Sequence, residues 1–271
     1  MLEINDKLRL VLSDIKNISN LLKFDILVVG AGARILVFDT QYNIEGRATK
    51  DLDFAVKVND WNNFESFSVQ MTQGNNARFK RTRVEHKFIH ISTNLEIDIV
   101  PFGAIAQPSQ ILEWSDGNQM SLLGLNEAFS TAKIINIDGL ELKVVNPYAL
   151  LVLKLIAWND RQEIKDLEDI NFILKNYSDD ERILVELLNE ITQEVIEYQD
   201  GGIFLLGQDI RRTFNETIIS KLQQILQRIL QNQDRLFSRL ISRINEEDWD
   251  AQFDAIAYRF QIFKKAIEYN L

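Results

Sequence analysis

The sequence predicts an α+β fold: a mixed β-sheet with flanking helices, followed by a C-terminal helical bundle. Three observations predict it. Residues 51–58 and 95–100 carry the two-residue apolar alternation of strands, and Asp138-Gly139 separates two further apolar runs as a hairpin turn would. From Pro147 onward the alternation stops, and apolar residues recur at three- and four-residue spacings instead. The change divides the chain into residues 1–146 and 147–271, and a length of 271 residues suffices for two packed subdomains.

The elements follow in order. Residues 2–22 place Ile4, Leu8, Val11, Leu12, Ile15, Ile18 and Leu22 on one helical stripe. Phe24 to Val29 reads as a short buried strand running into a Gly30-Ala31-Gly32 turn, with a helix from Ala33 to Asp39. Asp51 to Val58 is a strand and Trp61 to Met71 a helix; Arg78–Lys80, His86–Ser92 and Leu95–Val100 are strands, the last two joined at Asn94. Glu127–Ile137 and Leu140–Val145 flank the Asp138-Gly139 turn. Pro147 suits the first turn of a helix that carries Leu150, Leu151, Leu153, Lys154, Leu155 and Ile156, and further helices are expected at 166–174, 182–198, 208–243 with a break, and 248–270. Gly201-Gly202 reads as an interhelix turn.

Composition narrows the setting. With no cysteine, disulfides and thiolate metal sites are excluded. No apolar run reaches bilayer length and no basic-then-apolar leader opens the chain, so a soluble cytoplasmic protein is expected. Forty acidic residues against thirty basic ones give a net charge of -10, which opposes non-specific attraction to a polyanion. A nucleic acid would need a local basic patch. Arg78, Lys80, Arg81, Arg83, His86 and Lys87, interleaved with Phe79 and Phe88, are one candidate, although charged edge strands look the same. A second stripe, Lys221, Arg228, Arg235, Arg239 and Arg243, reads as a solvent face.

The chemistry is carried by acids. Asp51 and Asp53 lie two apart on a strand and so share a face, while Leu52, Phe54 and Val56 share the other. Asp98 joins them if its strand lies alongside. Three converging carboxylates repel unless divalent cations sit between them, which points to Mg2+ or Mn2+ held by Asp51, Asp53 and Asp98. Gly30, Ala31 and Gly32, between a strand and a helix, offer backbone N–H groups to phosphates, with Arg34 and Arg47 as cations nearby. Arg47 suits equally a salt bridge that relieves the acidic crowding. Together these features imply nucleotidyl transfer from a nucleoside triphosphate.

Gly-Ala-x-Ala-Arg, then Arg-x-Thr-x-Asp-Leu-Asp-Phe, then a strand with Ile-Asp-Ile, resembles the nucleotidyltransferases of the DNA polymerase beta superfamily, and most closely the AbiEii/AbiGii toxin-like branch of bacterial abortive-infection and toxin–antitoxin systems. Lys154, Asp160-Arg161 and the block Lys165-Asp166-Leu167-Glu168-Asp169-Ile170 are similar to that branch's lysine, arginine and acidic block on paired helices. The resemblance implies that Lys154 and Asp166 are catalytic, that Lys154 and Arg161 contact nucleotide, and that residues 147–271 complete the active-site cleft. Without it, Lys154 would read as a snorkelling surface lysine and Arg161–Asp166 as a structural pair. It also implies an RNA acceptor, with transfer RNA a candidate, and an antitoxin partner. Departing from the superfamily's serine or the branch's threonine, the turn here holds Ala31 and Gly32, so phosphate contact would rest on backbone amides and cations. A small-molecule or protein acceptor, and a weakly catalytic nucleotide-binding module, stay open as alternatives.

Overall fold

The computed structural model describes residues 6–39, 51–241 and 248–269. The chain divides into two compact units, Met1–Asn146 and Pro147–Leu271.

The first unit is built on a mixed sheet. Helix α1 (Asp6–Leu22) buries Leu8, Val11, Leu12, Ile15 and Ile18 of the expected stripe; Leu22 is half-buried and Ile4 lies outside the described residues. Strand β1 (Ile26–Val29) runs directly into helix α2 (Gly30–Arg34), which continues as a π-helical turn through Asp39, so Gly30-Ala31-Gly32 is the first turn of the helix and not a separate loop. Strand β2 (Asp51–Val58) leads to α3 (Trp61–Thr72), whose first turn is capped by the Asp60 carboxylate accepting from the Asn63 amide. Strands β3 (Phe79–Arg81), β4 (Lys87–His90) and β5 (Glu96–Gly103) follow. Asn94, in the left-handed region, turns β4 into β5 as expected. A separate two-stranded sheet, β6 (Ile111–Glu113) with β7 (Gln119–Ser121), was not anticipated, since three-residue strands are too short to show a period.

The expected strand from Glu127 to Ile137 is corrected. Leu125–Ser130 is helix α4, and only Lys133–Ile137 forms strand β8. The Ser130 and Thr131 hydroxyls both donate to the Glu127 carbonyl, which closes a helical turn where alternation alone suggested a strand. Strand β9 (Leu140–Val144) pairs with β8 through the Asp138-Gly139 turn.

Sheet order is β3-β4-β5-β2-β1-β9-β8. Strand β2 lies antiparallel to β1 and parallel to β5, and β9 lies parallel to β1. Leu52, Phe54, Val56, Ile97 and Ile99 are buried, as are Phe64, Phe67 and Met71 of α3.

The second unit is helical: α5 (Pro147–Arg161), α6 (Ile164–Asn176), α7 (Asp180–Glu186), α8 (Leu188–Thr192), α9 (Gly201–Thr213), α10 (Glu216–Gln231), α11 (Gln233–Phe237) and α12 (Trp249–Glu268). Two expectations are corrected. The helix drawn from 182 to 198 breaks at Leu187, which is fully buried in a non-helical conformation, and ends with Glu194 in the left-handed region. Gly201-Gly202 is no turn but the start of α9, where a Cβ on Gly202 would stand 2.2 Å from the Tyr177 carbonyl oxygen. Those glycines permit close helix approach. No helix among the described residues is long and apolar enough to cross a membrane.

Candidate active site

Strand register assembles the acids. Asp53 pairs with Asp98 and Asp51 with Glu96 across parallel β2 and β5. Alternation then puts all four carboxylates on the face opposite the buried Leu52, Phe54, Ile97 and Ile99, with strands roughly 4.8 Å apart.

The glycine-started helix meets this face at Asp53. The Ala31 N–H donates to Asp53 Oδ2 at 3.0 Å. A Cβ on Gly30 would fall 2.0 Å from the same oxygen, and Gly30 has a φ of +54°, so both contact and backbone require glycine there. The amide expected to meet a phosphate is thus directed at an acid. Gly32 packs against Val28, its Cβ position 3.2 Å from that side chain. Arg34, expected to reach nucleotide, is only 2% exposed and belongs to the interior of the unit. Arg47 lies outside the described residues.

Lys87 completes the acidic face. In antiparallel register with Asp98, it brings its Nζ to 3.2 Å from Asp98 Oδ2. Burial alone would lower its pKa, but Asp98, then Glu96 and Asp51, outweigh burial and hold it above the ordinary lysine value. In the sequence Lys87 is one of the cations of the basic stretch 78–87. Counting outward from the turn at Asn94, which pairs Phe88 with Ile97, would have found it.

Among the described residues no group of three or more histidine or acidic side chains is arranged to hold a metal ion. The donor chemistry nevertheless fits one: hard carboxylate oxygens on adjacent strands, with the Lys87 ammonium standing where a cation is favoured. Asp51, Asp53 and Asp98 are the residues that could hold it.

In the helical unit a second charge cluster forms. Lys154 Nζ lies 2.6 Å from Asp169 and 3.6 Å from Asp166, and Arg161 binds Asp166 through two nitrogens at 2.8 and 2.7 Å. Asp166 is fully buried, so these two cations hold its charge in the interior. Asp169, part of the acidic block named above but given no role of its own there, is the nearer partner of Lys154. Its spacing from Asp166 on α6 places both on one helical face toward Lys154.

The basic stretch offered as a candidate nucleic-acid patch makes ion pairs on its exposed side. Arg81 pairs with Glu65 at 2.6 Å, Arg78 lies 4.0 Å from Asp14, and Lys87 serves Asp98. Lys80 and Arg83 are exposed. His90, at the end of β4, is buried with its ring nitrogens on Asp14 and Thr93. In the later stripe, Arg228 lies over Trp158 at 5.1 Å and donates to Asn159, while Arg243 is outside the described residues.

A mixed sheet carrying aligned acids on two adjacent parallel strands, beneath the start of a helix, is the arrangement a nucleotidyltransferase needs, and the family match shows that this chain is one. It belongs to the AbiEii family, described as nucleotidyl transferase AbiEii toxin of a type IV toxin–antitoxin system, which matches residues 38–267. Among solved structures it is similar to an antigenic nucleotidyltransferase-like protein from Paracoccidioides brasiliensis, 17% identical over 70% of this chain and 90% of that one, with a TM-score of 0.43. It is also similar to JHP933 from Helicobacter pylori, at 16% identity, 98% and 95% coverage and a TM-score of 0.41. The antibiotic-resistance factor ANT(2'')-Ia matches at 11% identity over 72% of this chain and 97% of its own, with a TM-score of 0.38. No curated protein sequence matches the chain significantly.

Proposed function

We propose that the chain transfers a nucleoside monophosphate from a nucleoside triphosphate to a hydroxyl of RNA, with Mg2+ or Mn2+, as the toxin-like member of a pair restrained in the cytoplasm by an antitoxin. The observation that supports this most is the alignment of Asp53 with Asp98, with Asp51 on the same face. The bound metal would supply charge neutralisation for the triphosphate and a lower pKa for the attacking hydroxyl. Asp51, Asp53 and Asp98 would hold it. Ala31 N–H, donating to Asp53 Oδ2, keeps that carboxylate oriented. Asp98 would take the acceptor's proton on its carboxylate. For the nucleotide we propose the backbone around Gly30, with Arg47, Lys154 and Arg161 as phosphate cations and Asp166 holding the last two. Positioning and electrostatic neutralisation, not covalent catalysis, would lower the barrier.

The test is incubation with each labelled triphosphate, Mg2+ and total cellular RNA, for the parent and for Asp53→Asn. Label entering RNA with the parent alone is expected. Label entering a protein or a small molecule instead would replace the RNA acceptor, and equal labelling by Asp53→Asn would remove the acids from the reaction.

A further inference from the structure

We propose that Lys87 is a built-in counter-cation of the acidic face, which a divalent metal must displace from Asp98, so that the site disfavours a bare metal ion and favours a metal–triphosphate complex. The proposal rests on the metal-binding role given above to Asp51, Asp53 and Asp98, and adds a residue that opposes premature loading.

The geometry is set by pairing alone. Lys87 faces Asp98 across β4 and β5, Asp98 faces Asp53 across β5 and β2, and Glu96 and Asp51 follow one step along the same two strands. One ammonium, 3.2 Å from Asp98 Oδ2, thus sits at the edge of a row of four carboxylates. Without a positive charge such a row is self-repelling, so the lysine stabilises the metal-free protein. A metal taking Asp98 as ligand meets the same ammonium, and two cations on one carboxylate are disfavoured in their turn. One must leave.

The lysine can. Its side chain is 35% exposed and hangs on a flexible four-carbon stem, whereas an arginine would grip the carboxylate in a fixed fork. A bare metal ion displaces the ammonium into water and gains nothing from it. A metal that arrives on a triphosphate brings oxygens with which the released ammonium pairs, so the displacement is compensated. Lys87 therefore couples metal binding to nucleotide binding, in a position where sequence reading saw only a basic edge strand.

The experiment is titration of the full chain with Mn2+, followed by electron paramagnetic resonance, with and without a non-hydrolysable triphosphate analogue. Parent, Lys87→Met, Lys87→Arg and Asp53→Asn are compared. Lys87→Met should bind bare Mn2+ about tenfold more tightly than the parent, since the opposing charge beside Asp98 is gone. The analogue should improve its Mn2+ affinity much less than it improves the parent's. Its thermal midpoint should fall in chelator and recover with Mn2+, while Lys87→Arg should resist bare Mn2+ at least as well as the parent. If Lys87→Met fails to fold, Lys87→Gln carries the same forecasts. Parent and Lys87→Met binding bare Mn2+ alike, with Asp53→Asn binding none, overturns the role of Lys87 and leaves the metal site standing. No Mn2+ binding by any protein overturns both. Binding by Lys87→Met and not by the parent is the strongest support.

Discussion

Asp53 and Gly30 show how much one missing side chain can matter. The carboxylate occupies the space a Cβ would fill, and its oxygen is held by the next amide. Gly30→Ala should therefore push Asp53 off Ala31 and strain a left-handed backbone, at a cost of about 1–3 kcal/mol. We expect at least a hundredfold loss of labelled transfer with the fold retained, as judged by circular dichroism. Full activity would mean that Asp53 needs no such seat. A different residue, Asp200, gives a pH forecast. Burial pushes its carboxyl above the usual range, opposed by the Tyr258 hydroxyl donating at 2.6 Å, reinforced by Glu197 and opposed again by Lys265. A raised folded pKa means that its stabilising contribution is complete below the ordinary aspartate value and is lost as pH rises through the raised one. Asp200→Asn keeps an acceptor for Tyr258 and carries no charge. Its thermal midpoint should exceed the parent's at pH 7 and converge with it near pH 3; a lower midpoint at pH 7 would show that the charged form is the stabilising one.

Between elements, the tie most exposed to test is Arg182 of α7. Its guanidinium meets Glu186 on its own helix at 2.7 Å, Asp209 of α9 at 2.8 and 2.9 Å, and the Tyr177 hydroxyl at 3.2 Å. Asp209 and then Glu186 raise the guanidinium pKa, and Arg182, with help from Arg212, holds Glu186 below the ordinary glutamate range. Because the side chain is part-exposed, we expect Arg182→Ala to cost about 2 kcal/mol in urea unfolding, less than a fully buried network would. Arg182→Lys should recover under half, since a point charge cannot span three partners; full recovery would reduce the network to a generic positive charge. This tie also marks where reading the sequence stopped. Strands β2 and β5 and helices α1, α3 and α5 were legible because long stretches repeat at period two or near 3.6. Helix α4, the break at Leu187 and the start of α9 were not. They depend on hydroxyls returning to a carbonyl, on one leucine turning inward, and on a glycine meeting a carbonyl from another segment. In the site, the acids were visible as residue types on strands. The pairings of Lys87 with Asp98 and of Asp169 with Lys154 were not, because they come from strand register and helix pairing.

At the scale of the whole molecule, a net charge of -10 sets the terms on which any polyanion is met. Arg78, Lys80, Arg81 and Arg83 of the basic stretch are all exposed, but Arg81 and Arg78 face Glu65 and Asp14, so Lys80 and Arg83 are the pair to reverse without breaking an ion pair seen here. If RNA is the acceptor and this edge guides it, reversing both to Glu should lower RNA labelling at least tenfold and flatten its salt dependence by about two counterions. Nucleotide binding should hold. Unchanged labelling with an unchanged salt slope would assign those charges to protecting the strand edge. The fold places its chemistry far from such edges. Strand β2 is fourth in an order of seven, with a hydrogen-bonded neighbour on either side, while β3 and β8 stand at the rims. Amides of β2 can meet deuterated solvent only when the sheet itself opens, so they should be among the slowest to exchange in the first unit. Rim strands can fray and reclose without disarming Asp51 and Asp53; inactivation by urea then waits for the sheet's collapse and arrives with it as one event.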